Sequence, residues 1–416
     1  MTIHFTFLDV FLIFFVLQAA LAQPIQYDSP DEKLMKTTAD RIKEHGYPAE
    51  IHYVETEDNY VIGMFRIPYS HNLQNQNEPR PAILLQHGLT SCSDAWILNG
   101  PNDALAFLLA DAGYDVWMGN ARGNTYSRNN TRLSTNHPYF WRFSWHEIGV
   151  IDIAAMIDHI LTTTGETAIH YTGHSQGTTV FFVLMSEKPE YNEKIKTAHL
   201  LAPVAFMGNM KTLWAKYTRR FIGRPNTLTG IVDTTEVMHA TFFEELYNIL
   251  CTKHAVMQFM CKNLIHLLNG DNDVGNMNQT VVGLLDETHP AGASSTQVLH
   301  YMQEYESKRF CQLDHGVAQN RKKYGRDTPP DYDVAQITST LFFYYSDADT
   351  LADVIDVEHL ASLLPKSPTM THFPGSTMSH GEFAWHVNVK EMVNMPIINA
   401  CNEYENSVET LNPSEL

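Results

Sequence analysis

The chain carries a series of short apolar runs separated by amphipathic stretches. Pro81 to Leu89 (PAILLQHGL) and Tyr114 to Met118 (YDVWM) come first, then Ala168 to Gly173 (AIHYTG) and Thr197 to Val204 (TAHLLAPV). Thr340 to Ser346 (TLFFYYS) and Pro368 to Phe373 (PTMTHF) follow far downstream. Each run is continuously apolar rather than alternating, which predicts strands covered on both faces, as in a parallel sheet. Between them Val150, Ala154, Ile157 and Leu161 recur at three- to four-residue spacing and predict one buried helix face. Strand alternating with helix in this way indicates an α/β fold.

The rhythm breaks after Val204. From about 206 to 331 the chain is rich in Met, Phe, Leu and His, with helical character and no clear strand, and Pro329-Pro330 closes the stretch. The reading is a helical cap, 206–331, set into one α/β domain built from 23–205 and 332–416. A length of 416 residues suits one large domain with such an insertion.

Residues 1–22 read differently. The apolar run Val10 to Leu17 is followed by Ala20-Leu21-Ala22, a small-x-small pattern before Gln23. That predicts a signal peptide cut after Ala22, and hence a secreted or lysosomal-lumen protein. The run is short for a span of about 20 residues, and no later stretch is apolar enough to cross a bilayer, so the mature chain is expected to lack a transmembrane segment.

A formal charge of −19 argues against nucleic acid and anionic membranes as partners. The 21 histidines would offset much of that charge near pH 5, which is compatible with an acidic lumen. The five cysteines, Cys92, Cys251, Cys261, Cys311 and Cys401, are too few for a disulfide scaffold but allow one or two bridges. Cys251 and Cys261 lie closest in sequence and are the first choice for a pair. Asn129-Asn130-Thr131 and Asn278-Gln279-Thr280 are N-glycosylation acceptors if the chain enters the secretory route.

The strongest local motif is Gly173-His174-Ser175-Gln176-Gly177, placed between a predicted strand and the helical TTVFFVLMSE. A nucleophilic serine at a sharp strand-to-helix turn needs small residues two before and two after it, so that strand and helix can approach. A serine hydroxyl also needs a base held by an acid. In such a fold the acid follows a late strand, and Asp347, Asp349 and Asp353 all lie just after TLFFYYS. The base belongs in the loop after the last strand. His380 falls there, whereas His372 falls within the strand and His386 within a helical segment. Two backbone N–H groups must face the oxyanion, and Gln176 and Leu89 (in Gln86-His87-Gly88-Leu89) are the natural donors. Metal-ligand spacings, phosphate loops and dinucleotide fingerprints are missing, so no cofactor is expected.

Together these residues resemble the acid lipase family of animals, which includes gastric and lysosomal lipases, on an α/β-hydrolase fold. The resemblance covers nearly the whole mature chain. It runs from His45-Gly46-Tyr47-Pro48-Ala49-Glu50 and Thr56-Glu57-Asp58-Asn59-Tyr60 through Arg66-Ile67-Pro68 and Leu85-Gln86-His87-Gly88-Leu89. It continues with Ala110-Asp111-Ala112-Gly113-Tyr114-Asp115-Val116-Trp117-Met118-Gly119-Asn120, Arg122-Gly123-Asn124-Thr125 and Gly173 to Thr178. The family pattern implies Asp349 as the triad acid, two residues before Leu351-Ala352-Asp353, and His380 as the base. It departs at His380-Gly381-Glu382-Phe383, where the family usually has His-x-Asp-Phe, which puts the orientation of the His loop in question. It also implies a cap disulfide at Cys251 and Cys261.

The implied activity is hydrolysis of a neutral-lipid ester, triacylglycerol or sterol ester, at a droplet or micelle surface, through an acyl-enzyme on Ser175. A general esterase or acyltransferase with the same triad, and a catalytically silent lipid-binding or storage protein, are the alternatives.

Overall fold

The computed structural model describes residues 36–212, 215, 216, 219, 222–226, 235–237, 276–375 and 378–411. The expected signal peptide, with its cut after Ala22, and both Cys251 and Cys261 lie outside the described residues.

All six apolar runs form strands of one sheet: β3 (Ala82–Gln86), β4 (Asp115–Gly119), β6 (Ile169–His174), β7 (Ile195–Leu201), β10 (Leu341–Ser346) and β11 (Thr369–Phe373). They pair in the order β4-β3-β6-β7-β10-β11, every neighbouring pair parallel. On the β4 side the sheet is extended antiparallel by β2 (Tyr60–Ile67), then β1 (Glu50–Glu55), and the two-residue β5 (Asn129–Asn130) pairs with β2. The apolar-run criterion overlooks β1 because its residues alternate between half-buried and exposed, the pattern of a strand covered on one face. The expectation of two covered faces fails for β11. It is the sheet edge, and it is largely exposed.

The helix predicted around 150–161 is Ala154–Thr164, preceded by a π turn over Ile148–Ile153. Ala154, Met156, Ile157 and Ile160 are its buried residues, so Ala154 and Ile157 of the expected face are buried, with Val150 and Leu161 packed at the margin. At Gly149 an added Cβ would stand 2.8 Å from Val183 Cγ1 and 2.9 Å from the Val180 carbonyl oxygen. The turn therefore packs directly on the helix Gln176–Glu187, which follows the Gly-His-Ser-Gln-Gly motif and is itself almost wholly buried.

Between β7 and β10 the described elements are mainly helical: Gln279–Thr288, Ser295–Ser307 and Val317–Tyr324. The region, read as having no clear strand, also holds a short antiparallel pair, β8 (Glu236–Val237) with β9 (Ala293–Ser294). Two-residue strands are too short to leave a hydrophobic period in the sequence. Among the described residues no helix is long and apolar enough to cross a membrane.

Candidate active site

Ser175 sits between the end of β6 and the helix Gln176–Glu187, with φ 54° and ψ −118°. A non-glycine residue rarely adopts this conformation, and here the surrounding backbone holds it there. Its N–H donates to the Leu201 carbonyl at the end of β7 (3.0 Å), and its own carbonyl accepts from Thr178 N–H (2.8 Å). The glycines of the motif have a measurable purpose. A Cβ on Gly173 would lie 2.7 Å from the Gly177 carbonyl carbon and oxygen, and one on Gly177 would lie 2.2 Å from the Gln86 carbonyl oxygen. Strand, turn and helix are thus in backbone contact, which pushes the serine side chain outward at the sheet's carboxyl edge.

The Ser175 hydroxyl lies 2.7 Å from His380 Nε2, and His380 Nδ1 lies 2.8 Å from Asp349 Oδ2. Asp349 is 1% exposed and His380 5%, while Ser175 is half-buried. A buried carboxylate facing Nδ1 fixes the tautomer: Nδ1 carries the hydrogen and Nε2 is left to accept the serine proton. The other Asp349 oxygen accepts the N–H groups of Leu351 (2.8 Å) and Ala352 (2.9 Å), which set the carboxylate's orientation.

The three aspartates that follow β10 are sorted by their contacts. Asp347 is exposed and pairs with His372 Nε2 (2.9 Å) and the Gly375 N–H, both of which hold its carboxyl below the usual range. Asp353 caps the helix Val354–Leu363 by accepting from Ile355 N–H. Only Asp349 reaches His380. His372 stacks on Tyr345 within β11, and His386 accepts from Asn388 N–H beyond the short helix Glu382–Trp385. At the His-x-Glu departure the longer side chain still reaches the loop. Buried Glu382 accepts the Ser379 N–H at 2.7 Å, bracing the residue before His380.

The loop after β3 lies against Ser175, since a Cβ on Gly88 would stand 3.1 Å from Ser175 Cβ. Among the described residues the N–H groups of Leu89 and Gln176 have no hydrogen-bond partner. His87 shapes this loop. Its Nδ1–H donates to the Gly88 carbonyl (2.7 Å), while Nε2 accepts from Ala121 N–H (3.0 Å) and Asn124 Nδ2 (3.1 Å). Burial pushes the imidazole down to about 4, so it stays neutral and keeps this donor–acceptor pattern.

Motif reading named His87 and Asn124 but gave them no such task. It also missed Gln297, on the helix Ser295–Ser307, which accepts from Gln176 Nε2 at 2.6 Å. A contact across 121 residues leaves no local signal.

Nearby, Arg122 is fully buried against Asp152 (2.6 Å) and Asp58 (2.5 Å) and lies over the Tyr60 ring. This network ties the Thr56–Tyr60 segment to the Arg122–Asn124 segment beside the His87 loop. Cys92, Cys311 and Cys401 are buried free thiols. Asn129 is exposed at β5, and half-buried Asn278 caps the helix Gln279–Thr288 by accepting from Thr280 N–H. Among the described residues no group of three or more His, Cys, Asp or Glu could hold a metal ion.

Two family models match the chain: a partial alpha/beta-hydrolase lipase region over residues 38–100 and the alpha/beta hydrolase fold over residues 81–379. The chain is 41% identical to Lipase 3 of Drosophila melanogaster, over 88% of this chain and 93% of that protein. It is 37% identical to gastric triacylglycerol lipase of Bos taurus and 36% identical to lysosomal acid lipase/cholesteryl ester hydrolase of Homo sapiens. In both cases the match spans 86% of this chain and 89% of the relative. A monoglyceride lipase structure from Saccharomyces cerevisiae superposes with a TM-score of 0.54 at 14% identity, covering 90% of this chain and 99% of that one, which is a likeness of fold. The chain therefore belongs to the acid lipase family of animals, carboxylic ester hydrolases built on the α/β-hydrolase fold.

Proposed function

We propose that the protein cleaves neutral-lipid esters, triacylglycerol or sterol ester, through an acyl-enzyme on Ser175. The observation that carries this reading is the continuous chain Ser175 Oγ, His380 Nε2, His380 Nδ1, Asp349 Oδ2 at a positive-φ turn. His380 takes the serine proton as Oγ attacks the ester carbonyl, and the negative charge develops on the former carbonyl oxygen between the Leu89 and Gln176 amides. The imidazolium, stabilised by Asp349, then protonates the departing alkoxide. Water, activated by the same imidazole, releases the fatty acid and restores Ser175.

The substrate class is supported by the relatives' names, which include a triacylglycerol lipase and a cholesteryl ester hydrolase. In this reading residues 206–331 are a cap over the site, with Gln297 as one point where it touches the nucleophile turn. The chain acts at a droplet or micelle surface after secretion or delivery to the lysosomal lumen. Glycans at Asn129 and Asn278 belong to the same route.

The test is hydrolysis of emulsified long-chain triacylglycerol and cholesteryl ester from pH 4 to 8, beside a soluble short-chain ester and a Ser175→Ala control. Emulsion hydrolysis that vanishes in the control is expected. Activity on the soluble ester alone would make the protein a general esterase. No activity on any of them would leave a lipid-binding protein.

A further inference from the structure

His174, the residue before the nucleophile, has a contact that the triad alone does not require. Its Nε2 lies 2.8 Å from the main-chain carbonyl oxygen of His380, and the two imidazole rings are 5.2 Å apart at 44°. A carbonyl can only accept, so Nε2 carries the hydrogen and the bond is N–H to oxygen. We infer that His174 is a positioning residue: it holds the backbone of the base in register with the nucleophile, by one hydrogen bond from the rigid end of the sheet.

The frame behind His174 is well defined. It is the last residue of β6 and pairs in register with Leu201 of β7, whose carbonyl also accepts the Ser175 N–H. The nucleophile and the donor to the base thus hang from the same strand end. His380, in contrast, stands in a loop, between β11 and the short helix Glu382–Trp385. Asp349 orients its ring and Glu382 braces its neighbour Ser379, but both stand on segments that follow β10 and β11 and not on the strand that carries Ser175. The His174 bond joins the base's own main chain to the nucleophile strand.

The choice of side chain fits the task. Burial, and secondarily the neighbouring His380, pushes His174 down to about 3, so the ring remains a neutral donor in acid. A second imidazolium facing His380 would work against the positive charge the base acquires in each proton transfer.

This inference rests on the reading of His380 as the general base, and the test separates the two. His174→Leu, His174→Gln and His380→Ala are compared on a soluble ester for kcat and KM, with a thermal midpoint for each protein. Glutamine presents an N–H near the position of Nε2, and leucine fills similar space without a donor. H174L is expected to lose roughly 10²-fold in kcat, the effect of a displaced catalytic group, with KM little changed. H174Q is expected to recover most of that loss, and H380A to be nearly inactive. An H174L protein within about twofold of the parent in kcat would overturn the inference, as would an H174Q protein as impaired as H174L. If H174L does not fold, H174Q still decides: kcat near the parent supports the donated bond, and a folded protein with the H174L-sized loss refutes it. Full activity in H380A would instead overturn the proposed mechanism.

Discussion

The nucleophile turn makes a steric prediction that can be worked from distances alone. Gly177 is in ordinary helical conformation, so replacing it by alanine introduces no backbone strain. What it introduces is a methyl carbon 2.2 Å from the Gln86 carbonyl oxygen, 3.0 Å from the Gln86 carbonyl carbon and 3.1 Å from the His87 carbonyl oxygen. All three are main-chain atoms of β3 and its loop, with no rotamer to swing away. Relief needs the start of the helix Gln176–Glu187 to retreat by about 1 Å, since carbon and oxygen pack no closer than about 3.3 Å. Ser175 and the Gln176 amide would move with it, away from His380 and Leu89. Over-packing of this kind destabilises by about 1–3 kcal/mol, and a displacement near 1 Å lowers kcat/KM by about 10²-fold.

The assay is kcat/KM on a soluble short-chain ester, which isolates chemistry from surface adsorption, with a thermal midpoint alongside. Gly283→Ala is the control. Gly283 lies in the helix Gln279–Thr288 with nothing within 4 Å of an added Cβ, so the change should leave activity alone and stabilise by about 0.5–1 kcal/mol. A G177A protein with parental kcat/KM and midpoint would refute the claim that backbone contact between strand and helix sets the nucleophile's position.

Other residues give outcomes as definite. Asp349→Asn should lower kcat by about 10³- to 10⁴-fold with KM little changed, because an amide no longer secures the Nδ1–H tautomer; steady-state kinetics on the soluble ester checks this. Glu382→Ala frees the Ser379 N–H and should lower kcat and the thermal midpoint together, whereas Glu382→Gln, which keeps an accepting oxygen, should restore most of both. Arg122→Met strands the fully buried Asp152 carboxylate and should destabilise by about 3–5 kcal/mol in denaturant titration. His199, held by burial at about 3 against an ordinary value of 6.5, stays neutral in the fold over a range where the unfolded chain binds a proton. Its contribution is therefore complete above pH 6.5 and falls as the pH drops toward 3, by up to about 1.4 kcal/mol per unit. His199→Gln should flatten the decline of the thermal midpoint between pH 6 and pH 4, and an unchanged slope would count against this.

What could be read from the chain follows from the range of the forces involved. Five of the six runs betray themselves because a strand covered on both faces is apolar at most of its positions. The nucleophile turn is equally plain, since Gly173 answers a contact with Gly177, four residues on, within one short motif. β1 escaped notice because its alternation signals one covered face, and β11 misled because an edge strand need not be buried. The choice among Asp347, Asp349 and Asp353 needed the family pattern. Strand-end position alone admits all three, and their distinct tasks depend on partners such as His372, His380 and the Ile355 amide. The tasks of His174, His87 and Gln297 depend on hydrogen bonds to residues 206, 34 and 121 positions away. No local period or spacing encodes those.

The central claim, an acyl-enzyme on Ser175, is tested most directly by trapping. The protein is inactivated with a long-chain alkylphosphonate ester, a mimic of the tetrahedral intermediate, and the adduct is located by intact mass and peptide mapping. The account predicts one phosphonate per chain, on Ser175, formed in step with loss of ester hydrolysis and absent in Ser175→Ala. Labelling at another residue, or inactivation of the Ser175→Ala protein at the parental rate, would contradict it.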